Sequence, residues 1–390
     1  MGHVYGLDAE GEALLAGPVA NVCAVARTHA ADVDARGRFP EESLAALREA
    51  GLLGLCVDEA FGGQGRGPAA FAAAVEDLAG ACASTAMVYV MHVSATQPIA
   101  TSSTHRGREA LLREIAAGRH LTTLAFSEKG SRSQFGAPVS RLEEAGGGYF
   151  TTSGLQSWVT SAGRADSYVS SAQVAGAKTP LESVLYLLRR GSAGMRVAGP
   201  WQGLGLRGND SAPVALEGVR VPRGDLLTEP GRGAEAMLQV VLPWFVVGTS
   251  AMANGLCRAA VTATTGHLTE AGFEHTGQRL RDLPGLRARL AQMSVRTEAS
   301  RSLLGRTLGA MGSGAADAPL LVLHARLAAM EAALEVTDLA MKACGGAAFS
   351  LHLPVERVFR DARAGWVMAP TTDHLHDFVG RALTGLPLFE

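Results

Sequence analysis

The spacing of hydrophobic and polar positions divides the chain into three parts. Between about residues 19 and 118, apolar residues recur every three or four positions, a period that predicts amphipathic helices. From Leu121 this period gives way to short runs rich in Val, Thr, Tyr and Trp, bounded by Gly, Ser and Asp, as in strands and turns. Beyond Gly231, long apolar-periodic segments return. The pattern predicts helical, β and helical parts in that order.

The middle part is predicted to be an antiparallel barrel or sandwich, because no helix-length segment separates its strands. Its predicted strands are residues 122–125, 148–152, 157–160, 168–174, 184–188 and 214–222. The last part is predicted to be a four-helix bundle, since four long segments can bury their apolar faces together. These segments are residues 234–268, 285–311, 318–342 and 373–383. The fold class is α+β, with domains at residues 1–120, 121–230 and 231–390.

Composition suits a large folded protein, since 47% of the 390 residues are hydrophobic and 18% are charged. A formal net charge of -2 gives no electrostatic reason to bind nucleic acid or an anionic membrane. No run approaches the uninterrupted apolar length that spans a bilayer, and the N-terminus does not resemble a secretory signal. The 5 Cys residues lack a C-x-x-C spacing, which predicts buried thiols in a reducing cytoplasm and no metal site.

The most specific motif stands near the end of the chain. Gly345 and Gly346 are followed by Pro-x-Glu-Arg at residues 354–357 and by Arg-Asp-Ala at residues 360–362. At this spacing they resemble the C-terminal signature of the acyl-CoA dehydrogenase superfamily. Colinear similarity runs from about Asp34 to Leu383 and includes a glycine-rich loop at residues 58–65. The resemblance implies an N-terminal helical domain, a central β domain, a C-terminal four-helix bundle and a flavin oxidoreductase that uses FAD.

Two segments of the β part resemble the flavin-binding elements of that family. Residues 124–133 resemble its Thr-Glu-Pro-x-Ala-Gly-Ser loop, and residues 155–161 resemble its Lys-x-Trp-Ile-Thr-Asn strand. An isoalloxazine ring needs an apolar face, which Trp158 can supply, and hydrogen-bond donors, which Ser127 and Thr160 can supply. The cofactor-binding residues expected from the resemblance are Phe126, Ser127, Ser133, Trp158, Thr160, Lys342, Gly345, Gly346 and Thr371.

Two contacts to the flavin phosphates differ from the family pattern. Phe273 stands where the family has a phosphate-binding Arg, and Lys342 stands where it has a Gln. Losing a charge-assisted contact weakens anion binding by ~1.5–3 kcal/mol, although Arg279 or Arg281 can substitute. FAD remains the expected cofactor, and FMN or an exchangeable reduced flavin stays open as an alternative.

The usual catalytic base of the family is missing. Its Glu position corresponds to Ala369, and the position used by other members, on an earlier helix, corresponds to Trp244. A general base contributes ~100- to 10,000-fold to a rate, so its loss matters for that reaction. One interpretation relocates the base to Asp373 and His376, which lie at i and i+3 of a predicted helix.

Two other interpretations stay open. The scaffold can serve a flavin-dependent monooxygenase that receives reduced flavin from a partner reductase, with His92 at its site, or it can be a catalytically degenerate flavin-binding module. We favour an oxidoreductase acting on an acyl thioester or a related small substrate, with His92, Trp244 and Phe245 lining the substrate pocket. The expected partners are a CoA- or carrier-protein-tethered substrate, an electron-transfer partner or flavin reductase, and further copies of the chain in a homotetramer or homodimer.

Overall fold

The N-terminal part of the protein is helical, as its sequence period predicts. The computed structural model describes residues 3–132, 134 and 136–387. Helix α5 is buried on every face: its residues Ala83 to Ile99 all lie between strand β1 and the C-terminal helices. The helices of this part are α1 (Ala9–Leu14), α2 (Ala20–Arg36), α3 (Glu41–Glu49), α4 (Pro68–Ala81), α5 (Ala83–Ala100) and α6 (Arg108–Ala116).

The middle part is a β domain with its own core. Within the described residues its sheet has seven strands in the order β1-β4-β2-β3-β7-β6, and β5 pairs with β4. The strands are β1 (Thr122–Ala125), β2 (Arg141–Gly146), β3 (Tyr149–Val159), β4 (Ser167–Val174), β5 (Ser183–Arg189), β6 (Met195–Val197) and β7 (Ala212–Pro222). Phe150, Tyr168, Tyr186 and Val221 meet in its interior. The predicted strand segments are present, but 148–152 and 157–160 form the single strand β3. Strands β2 and β6 were missed because they are largely exposed.

The sheet is mixed, which refines the antiparallel prediction. Strand β3 pairs antiparallel with β2 and β7, as β4 does with β5 and β6 with β7. Strand β4, however, runs parallel to both β1 and β2. The chain makes the β2–β3 hairpin between β1 and β4, and this excursion lets β4 return beside β1 in the same direction.

The C-terminal part contains the predicted bundle, in which α10 packs against α8, α9 and α14. Helices α9 and α10 each have a proline in the first turn, where its missing N–H costs no hydrogen bond. Helix α8 also packs against α4 and α5, so the helical parts share one apolar core. The helices are α7 (Gly233–Ala236), α8 (Leu242–Glu270), α9 (Pro284–Ser313), α10 (Ala318–Cys344), α11 (Gly346–Phe349), α12 (Val355–Ala362), α13 (Ala364–Val367) and α14 (Thr372–Thr384).

One continuous helical stretch, Gly233–Glu270, corrects the prediction about apolar length. By length and composition alone it could cross a membrane. Its apolar residues, including Val246, Val247 and Leu256, are instead buried against neighbouring helices. A core helix of a large bundle reaches this composition because it is surrounded by protein on most sides.

The Arg-Asp-Ala sequence of α12 connects the C-terminal bundle to the N-terminal helices and to the β domain. Arg360 forms two hydrogen bonds with the Asp34 carboxylate of α2, of 2.9 and 2.6 Å. The adjacent Asp361 is buried and accepts a 2.6 Å hydrogen bond from the Leu206 N–H of the β domain, and burial raises its pKa to about 7. At Gly205 a Cβ would lie 2.4 Å from the Arg360 carbonyl oxygen, so only glycine permits this approach.

A buried carboxylate ties the N-terminal segment to the bundle. Glu76 of α4 is fully buried and accepts hydrogen bonds from the Tyr5 hydroxyl, from Arg258 at 2.8 Å and from Arg301 at 2.9 Å. Asn254 of α8 donates to the same Tyr5 hydroxyl at 3.1 Å. The paired arginines compensate the buried charge, so this network is structural.

Candidate functional site

An exposed tryptophan marks the predicted flavin-binding face. Trp158 has a φ of +56°, at a register shift of β3 between Gln156 and Val159, and its side chain is 65% exposed. Its ring lies edge-on to Trp201, with 5.8 Å between the ring centroids. A non-glycine residue at this φ and an exposed indole are both costly, and such combinations cluster at ligand sites. The bulge therefore presents an apolar ring face that suits an isoalloxazine.

The loop that carries Phe126 and Ser127 is attached directly to this strand. The Ser127 carbonyl accepts from the Ser157 N–H at 2.7 Å, and the Lys129 N–H donates to the Leu155 carbonyl at 2.9 Å. Ser127 therefore lies beside Trp158, as the resemblance implies, while Phe126 is buried. Ser133 lies outside the described residues.

Glu128 explains why this loop is held in place. The side chain is buried, accepts from Gln156 Nε2 at 3.1 Å and accepts from the Ser140 N–H at 2.9 Å. These bonds fix the loop to β3 on one side and to the segment before β2 on the other. Sequence reasoning did not select Glu128, although an acidic residue between predicted strands is the signal that could have found it.

Thr160 is positioned near this face, but its hydroxyl points inward. The residue is 2% exposed, and its Oγ1 lies 2.9 Å from Ser211 Oγ. Its carbonyl accepts from Thr123 Oγ1 at 2.8 Å. A flavin contact by this hydroxyl would have to share the hydrogen bond with Ser211, so the role of Thr160 stays a prediction.

The C-terminal candidates for flavin contacts lie on the surface of the bundle. Gly345 follows α10 with φ 54° and ψ −132°, and it and Gly346 are exposed. The Lys342 ammonium pairs with Asp338 at 2.9 Å, and Arg363 donates to the same carboxylate at 3.2 Å. In the described part of the chain, no hydrogen bond links this group to the Trp158 loop. The assignment of both groups to one flavin stays a prediction.

Of the two arginines that could replace the missing phosphate contact, Arg279 already forms hydrogen bonds within the protein. Phe273 is 37% exposed in the loop after α8. The Arg279 guanidinium donates to the Glu270 carbonyl, and its backbone N–H donates to Asp282 at 2.8 Å. Arg281 is exposed and keeps its charge at the surface. Arg281 is therefore the better candidate of the two arginines.

Ala369, which the family resemblance assigns to the position of the catalytic Glu, lies in the turn before α14. Thr371 follows it as the N-cap of α14 and accepts from the His374 N–H at 3.4 Å. A residue that sequence reasoning missed holds this turn from behind. Arg326 of α10 is fully buried and donates to the Met368 carbonyl at 3.1 Å and to the Pro370 carbonyl at 3.5 Å.

Arg326 also contacts helix α8. It donates to the Thr249 hydroxyl of α8, and its guanidinium carbon lies 5.2 Å from the centroid of the Phe245 ring. Burial lowers the pKa of Arg326 to about 10. The available signal was an Arg on the otherwise apolar face of a predicted helix, next to Ala325, Ala329 and Met330.

Trp244 and Phe245 form an apolar wall beside this arginine. Both are partly buried, and the Trp244 ring centroid lies 5.8 Å from that of Phe71 in α4. Neither can remove a proton. Their role in a substrate pocket stays a prediction.

The predicted Asp373–His376 pair is not formed. His376 Nε2 lies 3.0 Å from Glu331 Oε1 of α10, and its side chain is 60% exposed. Asp373 is exposed on the first turn of α14. The carboxylate partner of His376 is therefore another residue, and the solvated position of both groups suits a surface ion pair. Among the titratable residues 373, 374, 376 and 377, only His374 is half-buried.

The placement of His92 at a substrate site is corrected by its contacts. The side chain is fully buried, with Nε2 3.1 Å from the Leu53 carbonyl and Nδ1 accepting from the Thr122 N–H at 3.1 Å. Burial lowers its pKa to about 4. Because both ring nitrogens are engaged, His92 joins α5 to β1 and serves packing.

The glycine-rich loop at residues 58–65 is a structural turn. The Gly63 N–H donates to the Asp58 carbonyl at 3.2 Å, and the Gly65 N–H donates to the Val57 carbonyl at 2.8 Å. These N–H groups already donate to backbone carbonyls and are not available to a phosphate. Among the described residues, no group of three or more His, Cys, Asp or Glu side chains could hold a metal ion.

Family comparison agrees with this geometry. Residues 10–119 match the model described as acyl-CoA dehydrogenase, N-terminal domain, and residues 231–384 match the model described as acyl-CoA dehydrogenase, C-terminal domain. Together they cover more than half of the chain. The protein belongs to the acyl-CoA dehydrogenase family. As a member it is a flavin-dependent oxidoreductase, and the cofactor of the family is FAD.

Individual relatives cover nearly the whole chain. A probable acyl-CoA dehydrogenase of Mycobacterium leprae, fadE25, is 26% identical over 91% of this chain and 90% of its own length. Butyryl-CoA dehydrogenase of Megasphaera elsdenii superimposes with a TM-score of 0.91 at 22% identity, covering 97% of this chain and 99% of that one. FkbI, described as acting in biosynthesis of the methoxymalonyl extender unit of Fk520, gives a TM-score of 0.85 at 21% identity over 95% and 99% of the two chains.

Proposed function

We propose that this protein oxidises an acyl thioester, or a related small substrate, without a carboxylate at position 369 or position 244. The observation that carries the proposal is the turn at Ala369. The dehydrogenase scaffold is present around it, yet the charged group within hydrogen-bonding distance of this turn is a buried arginine. The family reaction is retained in outline, and the proton is removed by a different group.

The residues around Trp158 fit the cofactor of the family. The indole face would lie against the isoalloxazine ring, and the Ser127 loop would present its polar groups to the ring edge. FAD supplies the hydride acceptor of such a reaction when it is bound. The protein supplies the orientation of the ring, through a loop fixed by Glu128, and an apolar wall at Trp244.

Proton removal is assigned to a relocated base. Asp373 and His376 were predicted for this role, but both are exposed to solvent. His374 is half-buried and is nearer to Ala369 in the sequence than His376 is. Its ring stacks on that of Phe378, with 6.2 Å between the ring centroids. We therefore propose His374 as the first residue to test, with Asp373 and His376 as comparison positions.

A flavin-dependent monooxygenase is the second candidate function. Two observations favour it: Phe273 replaces a cationic phosphate contact, and Lys342 is already paired with Asp338. Both changes weaken retention of FAD, which suits a reduced flavin delivered by a partner reductase.

The substrate and assembly follow from the same reasoning. The likeness to FkbI suggests a substrate tethered to CoA or to a carrier protein and used in biosynthesis. Exposed Phe349, Leu351 and Val367 support association of the chain into a dimer or tetramer, because a monomer would leave them in water. Electron transfer to a redox partner and a cytoplasmic location complete the proposal.

One experiment separates these functions. The purified flavoprotein is mixed anaerobically with a series of acyl-CoA thioesters, and flavin absorbance is followed; it is then reduced and mixed with oxygen. Bleaching by a thioester, with slow reoxidation, supports the dehydrogenase. Rapid reoxidation with incorporation of labelled oxygen into product supports the monooxygenase. Bound flavin that no thioester bleaches, and that reoxidises without incorporation of labelled oxygen into product, supports a degenerate flavin-binding module and rejects both.

A further inference from the structure

Arg326 has an unusual charge environment. Several other arginines that are buried or half-buried have a carboxylate partner: Arg360 binds Asp34, Arg301 binds Glu76 and Arg363 binds Asp338. Arg326 is more deeply buried than these, and no ion pair joins it to any described residue. A buried charge without a counter-charge is strongly unfavourable, so its presence calls for a physical explanation.

The hydrogen bonds of Arg326 are incomplete as well. A guanidinium has five N–H donors. Three bonds are made, to the Pro370 carbonyl, the Met368 carbonyl and the Thr249 hydroxyl. The two remaining donors have no acceptor among the residues that the structure describes. Half-buried Phe245 packs against the guanidinium, with 5.2 Å between the guanidinium carbon and the ring centroid.

Arg326 lies next to the residues where the family resemblance places the catalytic base. It binds the carbonyls on both sides of Ala369, and it touches the residue next to Trp244. The family resemblance assigns the base to Ala369 or Trp244, and Arg326 contacts the neighbours of both. A buried positive charge therefore lies directly behind the turn at Ala369.

We propose that Arg326 is the positioning residue of this site, fixing the turn at residues 368–370, and that its charge favours an acyl thioester that is anionic when bound, as an enolate or a carboxylate. The inference rests on the proposed function for the identity of the ligand, but the positioning role does not depend on it. The anion supplies the acceptor and the counter-charge that the protein lacks.

The positioning role is tested by hydrogen–deuterium exchange in the protein without substrate. Arg326→Met removes the donors, and Arg326→Lys keeps the charge and part of the hydrogen bonding. We expect amides of residues 368–375 to exchange about tenfold faster or more in Arg326→Met, because charge-assisted hydrogen bonds of this strength are lost. Arg326→Lys should stay near the wild type.

Arg301→Met is the matched control, because it removes a largely buried Arg from the same bundle at a site with carboxylate partners. It should leave exchange at residues 368–375 unchanged. Equal acceleration in this control, or no acceleration in Arg326→Met, overturns the positioning role. Global unfolding is identified because it would accelerate exchange in every helix.

The charge preference is tested with two thioesters of equal acyl length. Acetoacetyl-CoA can lose its central proton to form an enolate, whereas crotonyl-CoA cannot form such an anion readily. Binding to each variant is measured from the change in flavin absorbance. Arg326→Met should weaken acetoacetyl-CoA about tenfold more than crotonyl-CoA, since hydrogen bonds to charged groups are the stronger ones. Arg326→Lys should restore the preference.

Equal weakening of both thioesters, or no weakening, overturns the charge role. Failure of the proposed function has a different signature: the wild type then binds no flavin, or binds flavin that neither thioester perturbs. In that case the exchange experiment still decides whether Arg326 fixes the turn.

Discussion

Returning a carboxylate to residue 369 tests the reasoning most directly. Ala369→Glu restores the residue type that the family uses at this position, on a turn whose two flanking carbonyls lie 3.1 and 3.5 Å from Arg326 nitrogens. For unit charges ~6 Å apart at an effective dielectric constant of ~20, the attraction is about 3 kcal/mol, or about two pKa units. Burial of the new side chain acts in the opposite direction.

The sign of this effect decides the pH dependence. An opposite charge favours the ionised form, so Arg326 lowers the pKa of a Glu at 369 and keeps it deprotonated at neutral pH. Reduction of bound flavin by butyryl-CoA should become ~100- to 10,000-fold faster, which is the usual contribution of a general base. The rate should vary little above about pH 6. With Arg326→Met added, the carboxyl pKa rises and the rate should increase with pH through neutrality.

The assay is anaerobic stopped-flow bleaching of the flavin at 450 nm or so, with Ala369→Gln as the matched control for size and polarity. A gain in both variants would assign the effect to packing and not to a base. If Ala369→Glu binds flavin and butyryl-CoA but gains no rate, residue 369 does not face the reacting carbon, and the reasoning fails.

The other predictions concern the cofactor, the connection between the domains and the core. Trp158→Ala should weaken flavin binding about 10- to 100-fold in a fluorescence titration, because a large apolar contact is removed. Trp158→Phe should retain most of the affinity. Equal affinity in all three proteins would exclude Trp158 from the site. The folded-state pKa of Asp361 is raised to about 7, so its stabilising contribution is full below the unfolded pKa of ~3.9 and is lost as pH rises through 7. Asp361→Asn should therefore flatten the decline in melting temperature between about pH 4 and about pH 7, and an unchanged slope would refute the assignment. Glu76→Gln should cost ~3–5 kcal/mol of unfolding free energy in urea, since two arginines lose their buried partner, and a cost below 1 kcal/mol would contradict the network.

The helices were predictable because their apolar period is strong and long. The bundle segments predicted at 285–311 and 318–342 lie within the helices Pro284–Ser313 and Ala318–Cys344. Strand β6 and most of β2 were not predictable, because their exposed residues show no buried alternation. The parallel pairing of β4 with β1 was also hidden, since strand direction depends on the path of the intervening hairpin and not on local composition.

The candidate site was predictable only where a motif has a local cause. The segment around Trp158 was recognised from its residues, and the structure shows the bulge that exposes the ring. The contacts of His92 and His376 could not be read from the sequence, because Leu53 and Glu331 approach them from distant segments. Arg326 was missed for the same reason: its partners Thr249, Met368 and Pro370 are brought to α10 by the fold.

Arg326 also bears on whether the site is degenerate. An apolar side chain of similar volume at this position would avoid the desolvation of a charge, and replacing buried ions by apolar residues is often neutral or stabilising. Stability alone therefore does not account for this arginine, because two of its N–H groups have no acceptor and it has no carboxylate partner among the described residues. A ligand anion accounts for both features at once, and it also accounts for the loss of carboxylates at positions 369 and 244. A negative charge there would compete with the ligand for the same arginine.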